Sequence, residues 1–344
     1  MSMPDSRFHV LALAGLIFFS SCQKSESPIL RQTTAMNTYV SISIYDRGVS
    51  DRIANPWIDS CISEIRRVEQ MATDYNDSSE VGEINLHAGL DTMSVSPELA
   101  KLLRAGLDYG QMSEWRLDIT IKPLVKEWDF LSTSPRVPPA ETIKHLLPLV
   151  NAHRLFLDGN RVYLPQRGMG IDLGSYGKGY AIDQAVNILK NAGFHQFIVD
   201  IGGKLGVYWE GTHLLDSSAV EVLIRHPRKQ GAYLGTFRVG SGAVSTSGDY
   251  ERYFIQDGIR YHHLLDPFTG YPARGVVSVT LVADDPLFAD ALSTVVFLLG
   301  REKGMALMQK MFGVEGMITY ESGDSLAFDL TPGFARCLRP APSQ

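Results

Sequence analysis

Apolar residues recur in this chain with two different periods, interleaved in no regular order. Residues 38–45 alternate Val40, Ile42 and Ile44 with Ser41 and Ser43, the spacing of a half-buried strand. Residues 58–72 instead place Ile58, Cys61, Ile62, Ile65 and Val68 on one face of an amphipathic helix. A second helix starts at Ser96-Pro97-Glu98, with serine as the cap and proline in the first turn, and runs on through Leu99, Leu102, Leu103 and Leu107. Residues 179–191 read as a helix that ends at Gly193 and feeds the apolar strand 197–201. Further strands are expected at 220–224 and 276–283, and Pro286 opens a helix over 287–299 that Gly300 stops. Helices and strands mixed without a βαβ rhythm point to an α+β architecture. Pro135, Pro138 and Pro139 mark residues 132–140 as a linker between two subdomains.

The first residues are not part of that fold. Arg7, an apolar stretch over 10–19 and then Ser20-Ser21-Cys22 form a secretory signal over 1–22, and its end resembles a bacterial lipoprotein box with Phe19 in place of an aliphatic residue. The expectation is an exported protein on the periplasmic side of a bacterial membrane, lipid-anchored at Cys22; the plainer alternative is a signal peptide with an incidental cysteine. Residues 23–30 form a polar tether, 31–338 the folded domain and 339–344 a tail. The formal net charge of −6 argues against a nucleic-acid partner, which would need a basic face. Of the remaining cysteines, Cys61 falls on the apolar helix face and is expected as a buried free thiol. No Cys-x-x-Cys occurs, which makes a zinc site improbable.

The chemistry-bearing segments lie in loops and at helix starts. Residues 261–272 hold His262 and His263, then Asp266-Pro267, then a Thr269-Gly270 turn closed by Pro272. Residues 171–180 form a Gly-rich turn entering a helix, where free backbone N–H groups and Lys178 suit a phosphate, although the pattern is not a Walker A loop. Asp290 and Thr294 share one face of an otherwise apolar helix, and a carboxylate with a hydroxyl suits Mg²⁺; equally, Asp290 can serve the helix N-terminus and Thr294 its own turn. Asp118 lies in an aromatic-rich stretch, and Tyr75 opens a polar loop. Each can serve a ring ligand, or respectively a turn and the core. The pair Gly202-Gly203 requires close backbone approach or positive φ.

Taken in order, these segments resemble the ApbE-type flavin transferases, or FAD:protein FMN transferases. The family's patterns are matched by Tyr75, Ser79, Glu80 and Asn85, then by Leu117-Asp118-Ile119-Thr120 with Pro123, Leu124 and Trp128. They continue at Asp172 to Tyr180 with Gly177 in place of alanine, at Ser247-Gly248-Asp249-Tyr250, at His263 to Gly270 and at Asp290 to Thr294. Two positions depart: Asn37 stands where the family's Met-Gly-Thr has glycine, and Lys204 follows the Gly-Gly pair where an acidic or amide residue is usual.

The resemblance implies an α+β fold of mixed, largely antiparallel sheets flanked by helices, with two subdomains around a central FAD cleft. It implies Mg²⁺-dependent transfer of FMN from FAD to a threonine or serine hydroxyl of an acceptor flavoprotein subunit, with release of AMP. His263 is then the general base, oriented by Asp266 unless Asp266 only shapes the loop, and His262 is its rival. Mg²⁺ falls to Asp290, Thr294, the Gly177 carbonyl and a Ser293 backbone oxygen. Gly174, Ser175 and Lys178 lie along the FAD phosphates, Tyr75 and Met36 on the flavin, Asp118 on a polar part of FAD, and Leu264 and Thr269 elsewhere on it. Competing readings are an FAD pyrophosphatase yielding FMN and AMP, and a non-catalytic flavin-binding lipoprotein.

Overall fold

Eight strands of the computed structural model, which describes residues 27–216 and 219–341, pair in chain order into one sheet. They are β1 (Ile29–Ala35), β2 (Thr38–Ile44), β3 (Gln196–Ile201), β4 (Lys204–Trp209), β5 (Gly242–Gly248), β6 (Ser278–Ala283), β7 (Glu315–Ser322) and β8 (Ser325–Leu330), and each neighbouring pair is antiparallel. The sheet is thus a meander, interrupted by long excursions between β2 and β3, β4 and β5, β5 and β6, and β6 and β7. Those excursions carry the helices α1 (Asp51–Ala72), α2 (Glu80–Leu86), α3 (Pro97–Met112), α4 (Lys122–Trp128), α5 (Ala140–Leu146), α6 (Gly177–Asn191), α7 (Pro286–Leu299) and α8 (Arg301–Lys310).

Alternation along the strands assigns the two faces of the sheet. Val199, Ala243, Val279 and Leu281 face a core shared with α1, α6 and α7. Ile198, Val207, Val244 and Val282 face the other way, onto the hairpin Val220–Arg225/Tyr233–Val239 and Phe334. Because both faces are covered, β6 is buried along its whole length, its polar Ser278 and Thr280 included. A third cluster joins Leu124 and Trp128 of α4 to Ile143 of α5 and to Leu265.

Most expected elements form. The Ser96 hydroxyl accepts the Leu99 N–H at 3.1 Å as the cap of α3, and Gly300, at φ 82°, ends α7. Helix α1 begins seven residues earlier than its periodicity indicates, at Asp51, and carries Pro56 inside it. Residues 1–22, with the expected signal and Cys22, lie outside the described residues. Strand β1 takes in Ile29 and Leu30 from the expected tether. Arg339 still pairs with Thr236, so the fold reaches one residue into the expected tail. Among the described residues no helix is long and apolar enough to cross a membrane.

Cys61 is fully buried and Cys337 half-buried, and both are free thiols. Burial pushes the Cys61 thiol up to about 12, leaving almost no thiolate at neutral pH. Alkylation of the native protein at pH 8, mapped by peptide mass, is therefore expected to label Cys337 and to reach Cys61 only after denaturation.

Candidate active site

Three chain reversals meet at one end of the sheet. Met36 and Asn37, at φ 54° and 56°, form the two-residue turn from β1 to β2; Gly202 and Gly203, at φ 63° and 83°, form the turn from β3 to β4. Residues 246–248 end β5 beside them. Both residues of such a hairpin turn need left-handed backbone, and asparagine is the non-glycine residue that tolerates it best. Asn37 therefore satisfies the geometry for which the family's glycine is suited. The turn also corrects the expectation for Met36: its side chain packs on the core beside the start of α6, and Asn37 rather than Met36 lines the cleft.

The cleft at this sheet end has a volume of about 930 Å³. Tyr75, Asp118, Gly174, Ser175, Lys178, His263, Leu264, Asp290 and Thr294 all line it, although they come from five separate segments. Gly177, Ser293, Asp266 and Thr269 do not line it. The Thr269 hydroxyl accepts the Tyr271 N–H at 3.2 Å and shapes the turn.

Several of these side chains are held by their own chain. Asp118 spends three of its four lone-pair directions inside the fold, on the Thr120 N–H and hydroxyl at 2.7 and 2.6 Å and on the Ala152 N–H at 2.9 Å. One direction remains for a ligand. Asn85 clamps the loop before Asp172, accepting from Ile171 N at 2.6 Å and donating to its carbonyl at 3.0 Å. Ser79 caps α2 through the Gly82 N–H, and Glu80 accepts the Ser96 N–H. Ser79 and Glu80 thus brace the wall behind the cleft.

The two histidines separate cleanly. His262 is buried, its Nε2 donates to the Ala273 carbonyl at 2.9 Å, and its Nδ1 accepts from Leu264 N at 3.3 Å. It is a brace for the loop. His263 lines the cleft, and its Nδ1 is sealed from solvent without a hydrogen-bond partner. Burial, with Arg252 and His262 nearby, pushes the His263 imidazole down to about 3, so it stands uncharged at neutral pH. Asp266 does not orient it: that carboxylate receives Arg116 Nη1 at 2.8 Å and the Phe268 N–H at 2.8 Å, which fixes the loop. Of the two roles open to Asp266, the structure therefore supports the second.

Asp290, buried on α7, accepts the Gly179 N–H at 2.7 Å through Oδ2, tying α6 to α7. Its Oδ1 receives no hydrogen bond, but Lys204 Nζ stands 2.6 Å away as an ion pair. Below it runs a hydroxyl chain: Ser293 Oγ donates to the Asp290 carbonyl at 2.9 Å and lies 3.0 and 2.8 Å from the Ser245 and Ser247 hydroxyls, and Ser247 reaches Thr294 at 3.1 Å. Among the described residues no three His, Cys, Asp or Glu side chains cluster as a metal site. The local donors, a carboxylate oxygen paired only with Lys204 and a hydroxyl one helical turn on, are still hard oxygen ligands of the kind Mg²⁺ takes. Burial holds the Lys178 ammonium below its ordinary range.

Gly179 has no room for a side chain. A Cβ there would lie 2.4 Å from the Pro286 carbonyl and 2.5 Å from Asp290 Cβ. Gly179→Ala is expected to force α6 from α7 at a cost of about 1–3 kcal/mol, read by urea denaturation.

Five cationic side chains on the cleft wall had no place among the sequence-based candidates: Arg116, Lys122, Lys126, Arg252 and Lys204. Lys122 pairs with Asp74 and stacks its ammonium 4.6 Å from the Tyr75 ring centre. Only Lys204 had a signal in sequence, as a departure from the family pattern.

Comparison with known proteins shows the family of the chain. The model of the ApbE family matches residues 36–318. A FAD:protein FMN transferase of Klebsiella pneumoniae is 32% identical over 263 residues, covering 76% of this chain and 81% of that protein. One from Vibrio cholerae is 29% identical over 306 residues, covering 87% and 90%. The crystal structure of the ApbE protein from Thermotoga maritima superposes with a TM-score of 0.80 at 30% identity, over 91% of this chain and all of that one.

Proposed function

Since the chain belongs to the ApbE family, we propose that it is a FAD:protein FMN transferase, moving FMN from FAD to a threonine or serine hydroxyl of an acceptor flavoprotein and releasing AMP. The observation that carries this reading is the convergence of His263, Lys178, Asp290 and Thr294 on one cleft of dinucleotide size, at the sheet end where the matched motifs meet. A pure flavin reservoir has no need of a recessed neutral imidazole beside a phosphate-binding turn.

In the proposed reaction the acceptor oxygen attacks the phosphorus on the FMN side, the P–O bond to AMP breaks, and the acceptor's proton passes to His263. The imidazole is in its proton-accepting form, and the negative charge of a bound pyrophosphate raises its basicity. Lys178 and Ser175 would hold the phosphates, with Gly174, whose N–H is taken by Asp172 Oδ1 at 2.6 Å, lying alongside them; Tyr75, exposed at the rim, would cover the flavin. Mg²⁺, held by Asp290 and Thr294 with the Gly177 and Ser293 carbonyls, would neutralise charge on the pyrophosphate.

Mass spectrometry of a threonine-bearing acceptor domain incubated with the protein, FAD and Mg²⁺ tests this reading. The expected result is a mass gain equal to FMN, lost in EDTA. Release of FMN and AMP with no gain on any acceptor would replace it with the pyrophosphatase. We place the protein on the periplasmic side of a bacterial membrane, anchored by lipid at Cys22. Cys22→Ser is expected to move it from the membrane to the soluble fraction.

A further inference from the structure

Lys204 is unusual in what it touches. Its ammonium lies 2.6 Å from Asp290 Oδ1, 2.8 Å from the Ser245 hydroxyl and 3.2 Å from the Thr246 carbonyl, with the side chain 11% exposed and facing the cleft. All its contacts accept, so it is held as a cation. The carboxylate oxygen it occupies is the one that, on the proposed reading of the site, a divalent ion would use. Ser245 and Thr246 keep hold of the ammonium, so an ion arriving at Asp290 meets a like charge at close range, with Lys178 on the same wall.

Resting on that reading, we propose that Lys204 is a tethered cation that makes divalent-metal binding depend on a pyrophosphate ligand. Asp290 and Lys204 together are formally neutral. Adding a divalent ion leaves two uncompensated positive charges in a recessed site, and a pyrophosphate carrying two negative charges restores neutrality. Replacing Lys204 by a neutral residue leaves Asp290 alone, a net negative site that attracts the ion without help. Metal and FAD thus bind as a coupled pair in this chain, and the coupling is reciprocal. Before the metal arrives, the ammonium is already in place for the phosphates.

The test follows free Mn²⁺ by its EPR signal in metal-stripped wild-type, Lys204→Asn and Lys204→Met proteins without nucleotide, and FAD binding by flavin fluorescence in EDTA and in Mg²⁺. The neutral variants are expected to bind Mn²⁺ at least about tenfold more tightly than wild type, and to bind FAD about tenfold more weakly than wild type in EDTA. Mg²⁺ should widen that FAD gap, because the coupling that Lys204 creates is missing from the variants. Equal Mn²⁺ affinity in wild type and variants overturns the proposal, as does a wild-type FAD affinity that Mg²⁺ leaves unchanged. The wild-type comparison needs no variant to fold. The Mn²⁺ titration contains no FAD, so it stands apart from any failure of the transferase reading.

Discussion

Asp290→Ala is expected to abolish FMN transfer and also to cost about 3 kcal/mol of stability, because it strands a buried ammonium. Asp290 is 1% exposed and Lys204 11%, so water does little to relieve the lone charge. The Gly179 N–H loses its acceptor as well, and with it the tie between α6 and α7. Stability and activity are separable by adding Lys204→Met. The double variant should recover most of the lost stability while remaining inactive. Urea unfolding of the four proteins of this cycle checks it; strictly additive losses would show that the pair is not coupled.

His263→Ala should lower the rate of FMN transfer about 10²–10⁴-fold while FAD affinity changes little. His262→Ala should do the reverse, costing about 1–3 kcal/mol through the stranded Ala273 carbonyl and leaving the folded enzyme active. The histidines also mark stability against pH. The folded His263 holds its pKa near 3, so between there and its ordinary value of about 6.5 the unfolded chain binds the extra proton, and this group's contribution rises with pH. His262, pushed down to about 4, acts with the same sign. Burial raises Asp172 and Asp200 to about 6, and they act oppositely over an overlapping window. Removing His263 exposes its share: relative to wild type, His263→Ala should gain about 2 kcal/mol on going from pH 8 to pH 5. An unchanged difference between the two proteins would show that His263 already titrates in the ordinary range. The same burial means that an acid limb of activity near pH 6.5 would not belong to His263 in the free enzyme.

Much of the site is legible in the amino-acid order alone. Asp290 and Thr294 stand one helical turn apart, the Gly-rich turn leads into α6, and His263 sits in a Gly- and Pro-bounded loop. Such relations are local, set by helical period, turn chemistry and chain order. The choice between His262 and His263 is not legible from spacing, since adjacent residues differ only in which one the loop turns inward. Asp266 is ambiguous for the same reason, because its partner Arg116 is remote in sequence. Met36 and Asn37 exchange places at the cleft because the hairpin twist decides which side chain faces in.

By itself the sequence determined the α+β class, most helix and strand positions, the free thiol at Cys61 and the set of segments able to carry flavin chemistry. These follow from periodicity and short-range hydrogen bonding, which any stretch of chain expresses alone. Only the tertiary structure decided that eight strands pair in chain order across excursions of up to about 150 residues, that five remote segments bring the candidate residues to one cleft, and that Lys204 rests on Asp290. Those outcomes depend on which faces can be buried together and which charges then have to meet, and no local pattern carries that information.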